Sequence, residues 1–179
     1  MSSEIMIICT SFSIEFTRLN DPDMSVVTAN IRKVRFPRRN LAFVRNVGPY
    51  AGHPELFERL FKEVVHWMDV HQIPKGPEME AIALYLDDPE RVPEEKQRIN
   101  VGFTVPDGVQ SAGRVLLMDL PEGDYLVGSF ELDPNEYGEA WNEMMAYLQE
   151  ENIRPREIMY ESYKNDPNEY PGGKHLVDI

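Results

Sequence analysis

One cysteine, Cys9, in 179 residues excludes an intrachain disulfide and fits a reducing compartment. No apolar run approaches the roughly eighteen residues that a membrane-spanning helix needs. The apolar stretch 5–9 is short and follows Glu4 rather than a basic region, so it makes a poor secretion signal. These absences lead to the expectation of a soluble cytoplasmic protein with no membrane partner. Basic residues are also scarce: 18 Lys and Arg stand against 31 Asp and Glu, for a net charge of -13 and a pI near 4.7. That balance disfavours nonspecific attraction to nucleic acid or anionic lipid, so no direct nucleic-acid partner is expected, and neutral or cationic ligands are the easier ones. The basic segment Arg32, Lys33, Arg35, Arg38 and Arg39 is the exception, expected to be solvated strand and turn surface. There is no glycine-rich phosphate loop. His53, His66, His71 and His175 lack metal-ligand spacing, so they are expected to be ordinary surface residues, and neither metal nor cofactor is expected.

What is present is a motif stated twice. Tyr85-Leu-Asp-Asp88-Pro89-x-x-x-Pro93-x-x-Lys96 returns 78 residues later as Tyr163-Lys-Asn-Asp166-Pro167-x-x-x-Pro171-x-x-Lys174. Two residues before each tyrosine the copies differ, with Ala83 in the first and Glu161 in the second. Two similar halves with one unmatched carboxylate predict a cleft between them, acidic on one side. With 42% hydrophobic residues, a single duplicated domain has enough apolar surface for its core.

Residues 1–30 are an N-terminal extension of weak periodicity, ending near a turn at 20–23, and residues 31–179 form the domain, with halves at about 31–107 and 112–179. Leu41 to Val47 predicts a strand closed by Gly48-Pro49-Tyr50. A helix opens at Pro54, with Leu56, Phe57, Leu60, Phe61, Val64, Val65 and Met68 on one face, and ends by Ile73-Pro74. Further strands are expected at 79–86 and 99–105, the latter alternating as a sheet with one covered face does. The second half repeats the order with strands at 115–120 and 125–130. Its helix is expected to start at Asp133-Pro134-Asn135-Glu136 as a capping box and to present Tyr137, Trp141, Met144, Met145 and Leu148, with strands at 158–163 and 175–179 after it. The fold class is α+β: a duplicated strand-helix-strand-strand unit, with two main helices on one side of curved antiparallel sheets.

Strand alternation puts Met159, Glu161 and Tyr163 on one face. Two readings of Glu161 stand. If its face is solvated, it is an ordinary surface acid. If the face looks inward, a carboxylate in an apolar wall needs a partner or a raised pKa. A cationic ligand would be such a partner, helped by cation-π attraction from rings among Tyr50, Tyr85, Phe103, Tyr125, Phe130, Tyr137, Trp141 and Tyr163. The same carboxylate could instead serve as a general base aligning water on an electrophile.

In this order, Leu41 to Tyr50, Tyr85 to Pro89, Gly138-Glu-Ala140-Trp141 and Tyr160-Glu161-Ser-Tyr163-Lys-Asn165-Asp166-Pro167 resemble the GyrI-like family, also called the bacterial effector-binding or SOUL-like small-molecule-binding domain. The resemblance covers about residues 30–179. It implies that Glu161 matches the family's buried ligand-sensing glutamate, which meets lipophilic cations in multidrug-responsive regulators. It also carries Tyr50 and Tyr163 to the pocket wall. The ligand-binding set expected is Glu161, Tyr163, Tyr50, Tyr85, Phe103, Trp141 and Met159. Stand-alone relatives that hydrolyse cyclopropane-bearing toxins imply a hydrolase alternative, with Glu161 activating water and Tyr50 assisting. Residues 1–30 are too short and too unlike paired helices to supply a DNA-binding module, so direct transcriptional regulation is not expected. A third reading, an inhibitor that binds DNA gyrase, follows from gyrase-inhibiting members and the negative charge. It ranks below ligand binding because the acids are scattered. A protein partner therefore stays open.

Overall fold

The computed structural model describes residues 30–89, 91–155 and 158–179. The extension at 1–29, with Cys9 and the turn at 20–23, lies outside the described residues. The duplicated pattern folds as two copies of one unit. In the first, β2 (Arg39–Val47), α1 (Pro54–Val70), β3 (Ala81–Tyr85) and β4 (Arg98–Val105) follow one another. In the second, β6 (Gly123–Leu132), α2 (Tyr137–Glu150), β7 (Met159–Tyr163) and β8 (His175–Asp178) do the same. Each unit is preceded by one more strand, β1 (Asn30–Phe36) and β5 (Leu116–Leu120), and each of these pairs with the first strand of the other unit.

All eight strands join one curved sheet in the order β1-β6-β8-β7-β3-β4-β2-β5, and every pairing is antiparallel. Both helices lie on one face. Leu56, Leu60, Val64 and Met68 of α1 pack with Ala42, Val44, Ala83, Ile99 and Val101. Ala140, Trp141, Met144 and Leu148 of α2 pack with Leu126, Phe130, Leu132, Val177 and Ile179. Leu41, Phe43, Ile82, Leu84 and Leu120 form a smaller cluster on the other face. The halves therefore meet at the β3–β7 pair, in the middle of the sheet. The helices also end alike: Gln72 and Asn152 both take left-handed backbone angles, and the amide of the following isoleucine donates back to the carbonyl of Met68 or Leu148.

Three local expectations are corrected. Asp133 does not cap α2. The Glu136 carboxylate accepts from the Asp133 amide at 2.7 Å, which is half of a capping box, but 133–136 forms a separate turn and the helix begins at Tyr137. Asp133 is drawn instead to Lys174, at 2.9 Å. Arg39 is not solvated surface: its side chain is largely buried, ion-paired with Glu80, hydrogen-bonded to Tyr160 at 2.8 Å and stacked 4.2 Å from the centre of the Phe36 ring. Arg32, Lys33 and Arg35 do lie on an edge strand, β1, where charge discourages edge-to-edge association. Finally, His175 is half-buried, and its Nδ1 shares a hydrogen bond with the Tyr137 hydroxyl at 2.6 Å. No helix among the described residues is long and apolar enough to cross a membrane.

Candidate ligand site around Glu161

Strand register explains why only one copy of the repeat carries an acid. Ala83 is the Cα partner of Glu161, and the pairs on either side, Ala81 with Tyr163 and Tyr85 with Met159, exchange roles under the repeat. The approximate two-fold axis relating the halves thus passes between Ala83 and Glu161. A glutamate in both copies would set two carboxylates directly across from each other, with Cβ atoms about 5 Å apart in a buried layer, where like charges destabilise. Alanine on one side leaves room for a single carboxylate on the axis.

Glu161 is 3% exposed, which settles its face as inward. Its two oxygens are both held: Trp141 donates from Nε1 at 2.7 Å, and the Tyr163 hydroxyl donates at 2.5 Å. Tyr85, the repeat counterpart of Tyr163, stands near enough to the same carboxylate for its hydroxyl to favour the charged form. The two tyrosines that mark the repeat therefore converge, one from each half, on the residue where the halves differ. Burial raises the Glu161 pKa, and Tyr163, Trp141 and Tyr85 pull against that rise. Burial, followed by the Glu161 charge, pushes Tyr163 and Tyr85 well above an ordinary phenol. They stay protonated donors at any physiological pH.

Rings surround this centre. Tyr85 meets Trp141 edge-on at 5.8 Å and Tyr50 at 5.6 Å. Tyr163 meets Phe61 edge-on at 5.7 Å, and Phe61 meets Phe103 at 5.3 Å. Of the residues expected from sequence, Trp141 and Tyr163 thus bond the carboxylate, and Tyr85 stands beside it. Tyr50 reaches its neighbourhood through Tyr85, with its pKa pushed up to about 12 by burial and then by the Glu161 and Asp87 charges. Phe103 stands one ring further out. Met159 is buried in the core under α2. Sequence reasoning missed Phe61 and the Tyr137–His175 pair. Tyr137 is close enough to feel the Glu161 charge, although burial is the larger cause of its raised pKa. The usable signal for His175 was strand period: it shares a face with Val177 and Ile179, which line the α2 core. Phe61 was readable as helix face, but which rings lay near the axis was not.

The pH dependence of stability follows from the raised Glu161 pKa. A carboxyl group whose folded pKa lies above its unfolded value contributes stability that is full below the unfolded pKa and is lost as pH rises through the folded one. Other groups titrate too: burial lowers the His175 pKa, and hydrogen bonds from Arg98 lower that of Asp87, and both have the opposite slope. The difference between wild type and E161Q isolates one group. The urea midpoint of wild type relative to E161Q is expected to fall as pH rises above about 4.5. A flat or rising difference contradicts a raised Glu161 pKa.

Comparison with known proteins agrees with this fold. The model of the GyrI-like small molecule binding domain matches residues 29–179. A DNA gyrase inhibitor from Serratia proteamaculans (strain 568) is 30% identical over 129 residues, 69% of this chain and 79% of that protein. Among solved structures, SAV2435 bound to tetraphenylphosphonium superposes with a TM-score of 0.57 at 14% identity, over 83% of this chain and 90% of that one. EcmrR in complex with DNA superposes with a TM-score of 0.68 at 10% identity, over 86% of this chain but only 57% of the EcmrR chain. This last likeness corrects the expectation that direct nucleic-acid association is excluded, because the same fold sits within a DNA-bound protein. The net charge of -13 bears on nonspecific attraction at a domain's own surface, and it does not decide what a longer chain or an assembly containing the fold engages.

Proposed function

Since the chain belongs to the GyrI-like small molecule binding domain family, we propose that it acts as a DNA gyrase inhibitor that also takes a lipophilic cation at Glu161. The observation carrying the first part is the relative named a DNA gyrase inhibitor, of which this chain covers 79% at 30% identity. That similarity reverses the ranking drawn from scattered acids alone. Charge complementarity supports it, because an enzyme that handles DNA offers basic surface to a chain of net charge -13. The expected result is concentration-dependent loss of supercoiling when the purified chain is titrated into DNA gyrase with relaxed plasmid, weakening as salt rises. Undiminished supercoiling at about 10 μM of the chain at low salt would sink the reading; that concentration covers micromolar affinity.

The second part has its own observation: a buried carboxylate on the axis between the halves, ringed by Tyr50, Tyr85, Trp141 and Tyr163. A delocalised organic cation sheds its hydration cheaply and gains both the charge and the ring faces, each ring adding on the order of 0.5 to 2 kcal/mol. Tetraphenylphosphonium is a suitable probe. The hydrolase alternative gains less from the geometry. Both Glu161 oxygens are already engaged by donors, and Tyr50, its expected assistant, packs on Tyr85.

A further inference from the structure

Where the halves differ around the axis, the second half carries the group that hydrogen-bonds there. The helix ends match residue for residue, Met68 with Leu148 and Gln72 with Asn152, which makes Phe61 the counterpart of Trp141 and Phe57 that of Tyr137. The doubled turn likewise makes Gln97 the counterpart of His175. Phe61 and Trp141 each meet the tyrosine of the opposite half edge-on, Tyr163 and Tyr85, both at 89°. Only the indole adds a hydrogen bond to Glu161.

The other pair diverges in the same sense. The side-chain amide of Gln97 stays within its own turn, donating to the Val92 carbonyl at 2.9 Å. His175 instead turns to α2, its ring edge-on to Tyr137 at 5.6 Å and its Nδ1 2.6 Å from the hydroxyl. Tyr137 stands one turn before Trp141, with Cβ atoms about 5 to 6 Å apart, so α2 brings both residues to one carboxylate. The Glu161 charge reaches Tyr137, and Tyr85 and Tyr163 feel Tyr137 in turn. Tyr137 is half-buried, where the ring of aromatics meets solvent.

We infer that Tyr137, its hydroxyl proton taken by His175 Nδ1, offers its oxygen to the cleft as an acceptor, and that the favoured cations therefore carry N–H groups, as protonated arylalkylamines and arylamidines do. This rests on the cation site proposed at Glu161 and names the cations it selects. Tyr137 touches the ligand, and His175 is a positioning residue.

The direction of the bond follows from what else is in reach. Burial holds His175 below the ordinary imidazole value, against the pull of the Asp133 charge, so the ring is neutral at pH 7 and has one acceptor nitrogen. If Nδ1 carried the proton, the Tyr137 hydroxyl would have no acceptor among the described residues. Donating to His175 leaves the lone pairs of the phenol oxygen open. Glu161 has the same spare capacity: Trp141 and Tyr163 each take one oxygen, and a carboxylate oxygen can accept twice. A cation without N–H groups gains the charge and the rings but leaves the Tyr137 oxygen unpaired, whereas an N–H donor pairs it in a charge-assisted hydrogen bond.

Two probes share their rings and charge and differ in donors: biphenyl-4-ylmethylammonium and its N,N,N-trimethyl derivative. The readout is the ratio of their affinities by calorimetry at pH 7, which a general loosening of the site moves far less than the loss of one acceptor. Y137F is expected to lower the ratio of ammonium to trimethylammonium affinity about tenfold, the loss for a hydrogen bond to a charged group. Replacing the histidine by leucine (H175L) is expected to lower it in the same direction, and H175N, whose side-chain oxygen stands near the place of Nδ1, to restore it. A ratio unchanged in Y137F overturns the proposal, even if H175L does not fold. An H175L protein as selective as wild type, or an H175N protein as unselective as H175L, overturns the part given to His175. Neither probe binding wild type, or both binding E161Q as tightly as wild type, removes the cation site and this inference with it. Trimethylammonium binding that depends on Glu161 while the Y137F ratio stays flat keeps the site and removes only the N–H preference.

Discussion

Tetraphenylphosphonium is expected to bind the wild-type chain at pH 7 at least about tenfold more tightly than E161Q. A charge pair separated by about 6 Å at an effective dielectric near 20 is worth roughly 3 kcal/mol, or about a hundredfold in affinity. Part of that is offset, because burial raises the Glu161 pKa and some protein must release a proton before binding. The proton makes a second observable: calorimetry in buffers of different ionisation enthalpy should show release on binding to wild type and none on binding to E161Q. Triphenylphosphine oxide, with similar rings and no net charge, should bind both proteins alike. Equal affinity of the cation for wild type and E161Q would remove Glu161 from ligand recognition. The aromatic cage alone would then have to explain any binding.

The same variant separates the two parts of the proposed function. A gyrase-binding surface built from exposed acids does not include a carboxylate that is 3% exposed. E161Q should therefore inhibit supercoiling as wild type does while losing the cation. If inhibition fails with ligand affinity, the concave site and the gyrase-binding surface are coupled, and cation binding should then alter inhibition by wild type in proportion.

Much of this architecture was legible because the repeat is written in local chemistry. Alternation at 99–105, the amphipathic run from Leu56 to Met68 and the paired Asp-Pro turns each dictate an element at short range, and their doubling dictates the symmetry. The inward face of Glu161 was not legible, because strand alternation fixes which residues share a face and not which face is covered. Pairing of β3 with β7 decides it, and that contact joins residues 78 apart. Arg39 was misread for a related reason. Five basic residues within eight positions look solvated, yet Glu80 and Tyr160, which draw Arg39 inward, arrive from β3's approach and from β7. The α2 start failed on competition: Asp133 has the chemistry of a cap but also a lysine, Lys174, within reach. Long-range pairing between charged groups is the information that local pattern lacks.

Replacing Gly102 with alanine is expected to destabilise the protein by about 3 kcal/mol or more, a large share of the roughly 5 to 15 kcal/mol that holds a domain folded. An added Cβ would stand 1.9 Å from the Ala42 carbonyl oxygen and 2.7 Å from the Phe43 Cα. Both atoms are backbone, in a strand paired on both sides, so relief requires moving β2 or β4 as a whole. Gly128 gives the contrast. Its added Cβ would meet the Met144 sulfur at 2.4 Å and the Phe130 ring at 2.8 Å, which are side chains able to shift, and G128A should cost about 1 to 2 kcal/mol. Urea unfolding of the two variants checks the order, and G102A as stable as G128A would contradict it. The effect reaches function through register. β4 holds Ile99 opposite Tyr85, and Tyr85 stands beside the Glu161 carboxylate. A G102A protein that survives folding with β4 displaced should therefore bind tetraphenylphosphonium more weakly than G128A, although neither glycine touches the carboxylate.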